Sequence, residues 1–94
     1  MDIGKVIKEV RSKKKLKQKE LSDYCNISVT YLSQIENNRK DPSLSTLEEI
    51  SKFLGVPLPM IFFMALEDDD IPSPKKEFFR HIHPSLNSLI REFF

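Results

Sequence analysis

Residues 18–42 read QKELSDYCNISVTYLSQIENNRKDP, and this stretch decides the fold. Leu21 and Cys25 fall on one face of a short helix from about Gln18 to Cys25, because a four-residue spacing brings helical side chains into line. Asn26 follows where that helix needs a left-handed stop, a backbone that Asn tolerates better than any residue but Gly. Ser28 is placed to cap a second short helix, about Val29 to Asn37, with Leu32 and Ile35 facing inward and Tyr31 beside them. Asn38 ends that helix by the same logic, and Arg39-Lys40-Asp41-Pro42 reads as a loop. Two short helices therefore meet across the turn Asn26-Ile27-Ser28.

Working outward, Ile3, Val6, Ile7 and Val10 recur at i, i+3, i+4 and i+7. They predict an amphipathic first helix that ends in the charged run Arg11–Lys15. Leu16 marks a short connection. Downstream, Ser45-Thr46-Leu47-Glu48 has capping-box spacing and predicts a fourth helix. Leu47, Ile50 and Leu54 form its buried stripe, Phe53 lies beside it, and Gly55 stops it. Pro57 and Pro59 open a fifth helix through Met60–Leu66. Glu67–Lys76 (EDDDIPSPKK) reads as a polar, Pro-punctuated linker. Phe78, Phe79 and Ile82 come next, then a break at Pro84. Ser85 caps a last helix with Leu86, Leu89, Ile90, Phe93 and Phe94 in one stripe. No segment alternates with period two for long. The expectation is an all-α chain: a five-helix domain over 1–66, a linker over 67–76 and a helical extension over 77–94.

Composition narrows the function. The chain has 94 residues, one Cys and two His, which excludes an intramolecular disulfide and leaves little for metal chemistry. No apolar run approaches the length of a membrane span. MDIGKVIKEVRSKKKLK lacks the long apolar segment of a secretory signal, so a cytoplasmic location is expected. The formal charge of +1 hides an asymmetry. Residues 1–66 carry 11 Lys/Arg against 8 Asp/Glu, whereas residues 67–94 carry 4 against 6. A basic face beside an acidic appendage points toward a polyanion. There is no Ser/His/Asp set, Gly-rich phosphate loop or metal-ligand spacing, so neither catalysis nor a cofactor or metal is expected.

The central stretch resembles the phage-repressor-type, or Xre-type, helix-turn-helix family, whose fold is lambda-repressor-like. The resemblance rests on Gln18, Leu21, the turn at Asn26-Ile27-Ser28, and Ile35-Glu36-Asn37-Asn38-Arg39. Pro42 and Leu47…Ile50…Leu54-Gly55-Val56 also match, and roughly residues 3–66 are covered. Three positions depart from the family pattern. Asn26 and Asn38 stand where Gly is usual and keep the positive-φ requirement. Lys17 replaces a Ser or Thr that would cap the second helix. Ser22 replaces Ala where two helices approach.

The resemblance implies that helix three lies in the DNA major groove, with its N-terminal part toward the base edges. Val29, Thr30, Ser33 and Gln34 would then read bases. Gln34 suits adenine N6 and N7, and Val29 with the Thr30 methyl suits thymine. The lack of Arg or Lys on this face argues against a guanine-dominated code. Gln18, Asn37, Asn38, Arg39 and Lys40 would bind phosphates, and Ser28 would cap the recognition helix. Arg11 and Glu36 match a family pair that bridges helices one and three.

Other features have plainer readings. Lys13–Lys15 reads as a solvated helix end, with direct phosphate contact as the alternative, and Cys25 belongs to the core. His81-x-His83 lacks further ligands, and Asp68–Asp70 keeps a linker soluble. Glu20 and Asp23 read as exposed charges, the alternative being an acidic patch that touches RNA polymerase, as the family resemblance implies for activators. Met60–Leu66, seven apolar residues in a row, cover every side of a short helix. Either the C-terminal stripe folds back over that helix or a second subunit covers it. The expected interface comprises Met60, Ile61, Phe62, Phe63, Leu86, Leu89, Ile90 and Phe93. Through it the chain would form a homodimer or hold a partner protein. A homodimer would present two recognition helices about 34 Å apart to a pseudo-palindromic operator. The expected function is sequence-specific binding of double-stranded DNA as a transcriptional repressor. The alternative is an antitoxin-like interaction module whose tail binds a protein.

Overall fold

In the computed structural model, which describes residues 1–94, six helices follow one another without a strand: α1 (Ile3–Lys13), α2 (Gln18–Cys25), α3 (Val29–Glu36), α4 (Leu44–Leu54), α5 (Leu58–Ala65) and α6 (Lys76–Arg91). Each of the first five is short, so packing rather than propensity holds them. Val6, Ile7 and Val10 of α1 meet Leu21, Leu32, Ile35, Ile50, Leu54, Val56 and Ile61 in one core. α1 lies on α3 and α5, and α2 lies on α3 and α4.

The turns carry the topology. Asn26 has φ 55°, Asn38 φ 59° and Gly55 φ 70°, so all three expected left-handed stops are present. Lys15 has φ 58° as well, which lets the chain double back between α1 and α2. Nothing about a lysine announces that conformation.

Two expected caps differ. α4 begins two residues earlier than the Ser45 spacing suggests. Ser43 is its cap, with the hydroxyl oxygen accepting from Thr46 N at 3.2 Å. Ser45 lies inside the helix, its hydroxyl 3.1 Å from that of Ser43. α6 does not break at Pro84 but runs through it. An interior proline removes one backbone hydrogen bond, yet both halves of α6 are anchored. On one side of Pro84, the His83 ring stacks on Phe79 at 4.4 Å and leans on Phe63 at 5.0 Å. On the other, Ile90 and Phe94 pack against the core. Ser85 therefore caps nothing.

Residues 67–75 form two 3₁₀ turns, Asp68–Asp70 and Ser73–Lys75. Asp70 accepts from the Glu67 backbone at 2.8 Å, and Arg80 of α6 reaches Asp68 at 2.6 Å. These turns let α6 fold back onto α5. His83 Nε2 donates to the Phe63 carbonyl at 2.9 Å, and Arg91 pairs with Glu9 of α1 at 3.1 Å. Lys13 sits over the Phe94 ring.

This fold-back corrects one expected interface residue: Ile61 is 1% exposed and belongs to the chain's own core. Met60, Phe62 and Ile90 are half-buried against that core, and Phe63 lies under His83. Leu86 and Leu89 on α6, and Phe93 just beyond its end, remain exposed. No helix is long and apolar enough to cross a membrane.

Candidate nucleic-acid interface

The α2–α3 turn is built from three residues with separate tasks. Asn26 adopts the left-handed conformation, and Ile27 N returns to Ser22 O at 3.0 Å, closing the end of α2. The Ile27 side chain packs on the core. Ser28 is extended, and its Oγ accepts from Tyr31 N at 3.0 Å, opening α3. Ser22, 1% exposed at the contact between the helices, donates its hydroxyl to Lys19 O. A hydroxyl satisfied within its own helix is tolerated where Ala is usual.

α3 buries Leu32, Ile35 and Glu36. Val29 and Thr30 are exposed, while Ser33 and Gln34 are half-buried on the outward side. Ser33 is partly engaged, since Asn37 Nδ2 donates to its carbonyl at 2.9 Å and approaches its hydroxyl at 3.3 Å. Beyond α3, the backbone N–H groups of Asn37, Asn38 and Arg39 close onto Ser33, Ile35 and Gln34. With these N–H groups spent, it is the side chains there that are available to a ligand.

Beneath this surface lies a buried charge cluster. Arg11 Nε donates to Glu36 Oε2 at 2.7 Å and Nη2 to Oε1 at 3.1 Å. Gln18 Nε2 adds a third donor to Oε1 at 2.9 Å. Arg11 Nη1 donates to Leu16 O at 2.8 Å, pinning the α1–α2 turn. The Glu36 side chain is 1% exposed, and its carboxylate is satisfied from three directions. One cluster thus fixes α1, α2 and α3 relative to one another.

Gln18 therefore sits differently from a free phosphate ligand. Its amide nitrogen gives one hydrogen to Glu36 and keeps one, and the group is held over the start of α2. The Lys17 side chain supplies no cap. Instead, Glu20 Oε1 accepts from Lys17 N at 3.0 Å. The N–H groups of Gln18, Lys19 and Glu20 have no backbone acceptor, as expected for a first helical turn. Lys17 and Lys19 at this helix start are exposed, as are Arg39 and Lys40 after α3.

Sequence reading missed Gly4. A Cβ there would lie 2.1 Å from Ile35 O, so α1 crosses the end of α3 too closely for any side chain. The available signal was a lone Gly inside an apolar helical pattern, which usually has a packing reason. Cys25 is half-buried beside the core, and its thiol is pushed up to about 11, first by burial and then by the Glu49 carboxylate.

A short capped helix presented outward by a rigid partner helix, with cations at its rim, is a helix-turn-helix DNA-binding domain. The helix-turn-helix family HTH_3 matches residues 7–61, and the chain belongs to that family, of Xre type. The chain is 45% identical over 56 residues to an immunity repressor protein of Bacillus phage phi105, covering 60% of this chain and 39% of that protein. It is 39% identical over 54 residues to control protein C.BamHI of Bacillus amyloliquefaciens, covering 56% and 67%. It is 35% identical over 65 residues to the transcriptional regulator ClgR of Mycobacterium tuberculosis, covering 69% and 58%. The similarity to the phage repressor thus spans about two fifths of that protein. No solved structure matches significantly.

Proposed function

We propose that the protein is a transcriptional repressor that binds a pseudo-palindromic operator as a dimer. The observation that carries this reading is the outward face of α3. Val29, Thr30 and Gln34 make no side-chain hydrogen bond or ion pair within the chain, while every buried polar group behind them is partnered. A surface left free over a fixed support suits direct readout. Gln34 is the residue best suited to specify a base, through adenine N6 and N7. The free N–H groups at the start of α2, the remaining Gln18 hydrogen, and Arg39 and Lys40 are suited to phosphates. Ser33 and Asn37 hold each other and define the far edge of the reading surface. The names of the phage and Mycobacterium relatives, a repressor and a transcriptional regulator, support this reading.

The test is selection of bound duplexes from a random pool, with the intact protein and Gln34→Ala in parallel at two salt concentrations. An enriched inverted repeat whose half-site relaxes in the variant is the expected result. Binding that tracks salt without enrichment of any sequence would overturn it.

A second reading has its own observation. Phe78 and Leu89 of α6, and Phe93 just beyond its end, are more than half exposed. This favours a tail that takes a protein partner, as in an antitoxin-like regulator. Recovery of a stable heteromeric complex, together with sequence-indifferent DNA binding, would favour that reading.

A further inference from the structure

We propose that the outward face of α6 is a seam that pairs, antiparallel, with α6 of a second copy of this chain. The proposal rests on the dimeric reading above and gives it a geometry. Positions 78, 82, 86, 89 and 93 carry Phe, Ile, Leu, Leu and Phe. Their spacing of three and four residues sets them on one face. That face is distinct from the one through which Phe79, His83, Ile90 and Phe94 meet the domain. Phe78 is 66% exposed, Leu89 63%, Phe93 56% and Leu86 39%. The helical path continues to Phe93, whose N–H returns to Ile90 O at 2.9 Å. The stripe is therefore about 22 Å long. It leaves roughly 400 Å² of apolar surface in water, the scale at which a patch marks a contact site.

The order of residues along the stripe selects the occupant. It is nearly a palindrome: Phe78 and Phe93 lie at the two ends, Ile82 and Leu89 inside them, and Leu86 near the centre. Antiparallel pairing sets Phe78 against Phe93 of the second copy and Ile82 against its Leu89. Leu86 then meets its own symmetry mate, as a two-fold contact requires.

The rim agrees with this direction. His81 and Glu92 flank the stripe on the same side, so antiparallel pairing brings the imidazole of one copy beside the carboxylate of the other. Parallel pairing about a two-fold would put the two His81–Glu92 flanks on opposite sides of the seam and lose this contact. The two neighbouring arginines are engaged at home, Arg80 with Asp68 and Arg91 with Glu9. Each end of the stripe also borders a shallow cleft. One, of about 430 Å³, is lined by Pro74, Glu77, Phe78 and His81. The other, of about 290 Å³, lies between Phe93 and the α4–α5 turn. Antiparallel pairing brings the end aromatic of one copy to the cleft beside the end aromatic of the other. With roughly 400 Å² of apolar surface from each copy, the pair falls short of the about 1,200 Å² that marks the lower bound of specific, stable interfaces, so the dimer should be weak and exchange readily in solution.

The test uses the full chain. Sedimentation velocity over a concentration series should show a reversible dimer, and Leu89→Asp should weaken it more than about tenfold by placing an unpaired charge in the seam. Circular dichroism melting should show that this variant keeps its fold. Direction is read by cross-linking in a Cys25→Ala background. Phe78→Cys and Phe93→Cys chains should form a mixed disulfide only when combined, whereas disulfides within each single species would show parallel pairing and overturn the proposal. A dimer that persists in Leu89→Asp would overturn the seam while leaving the dimeric reading intact. A wild-type monomer, even on the selected inverted repeat, would overturn both. Pairing of α6 with a different protein and never with itself would overturn the choice of occupant.

Discussion

The helix-turn-helix core and α6 solve the problem of buried polar groups in opposite ways. In the core, Glu36 is a fully buried carboxylate, yet Arg11 and Gln18 give it three donors. In α6 the only buried residue is Asn87, and its Oδ1 has no partner, while its amide nitrogen reaches His83 Nδ1 at 3.4 Å. The core must hold α3 in a fixed pose against a ligand that tolerates little misplacement, and its polar groups are satisfied accordingly. α6 is held by a few aromatic contacts and half-exposed charges. This difference teaches that the first region is rigid by construction and the second is attached to it.

The comparison breaks most visibly at Arg11. Arg11→Ala leaves a buried carboxylate with one donor and should cost about 3–5 kcal/mol in urea unfolding. A loss under about 1 kcal/mol would show that the cluster is not what fixes the three helices. Gly4→Ala comes next, because its Cβ must displace the Ile35 carbonyl. Overpacking of this kind costs about 1–3 kcal/mol, read as a lower melting temperature and weaker DNA binding.

Asn87→Leu sharpens the other side of the comparison. Removing a buried oxygen without a partner should stabilise the docking of α6 by up to about 1 kcal/mol. Slower hydrogen exchange across residues 76–91, with no change in residues 18–37, is the measurement that checks it. The smallest effect is expected for Arg91→Ala. Its pair with Glu9 is more than a third exposed on both sides, so screening by solvent holds its contribution to about 0–1 kcal/mol. Equal losses from Arg91→Ala and Arg11→Ala would erase the distinction between the regions.

Most of the core was legible because its signals are local. Ser28, Asn26, Asn38 and Gly55 announce caps and left-handed turns through their own chemistry. The apolar stripes of α1 and α4 follow from period alone. Arg11 and Glu36 were reached through family resemblance; their spacing does not reveal them. Three features were hidden for stated reasons. Lys15 adopts positive φ because the Arg11 bond to Leu16 O and the packing of Leu16 hold the turn, neither of which is written at position 15. Pro84 reads as a breaker, but the anchors on both sides of it lie elsewhere in the chain. Gly4 looks like a weak helix position until the end of α3 is set against it. For the reading surface, sequence named the residues of α3 but not their commitments. The Asn37–Ser33 bonds and the Gln18–Glu36 bond appear only in three dimensions.

The hydrogen bond from Asp2 N to Ala65 O, with α1 laid along α5, joins the two ends of the domain. A ribosome delivers α1, α2 and α3 well before α5, so α1 waits for its largest neighbour until the domain is nearly complete. Domains fold as units during synthesis, and here the unit closes only when the stretch up to residue 65 has emerged. A product released earlier would carry the reading helix without the scaffold that aims it. Interrupted synthesis would then yield chains unable to bind DNA, and intact protein would bind without competition from its own fragments.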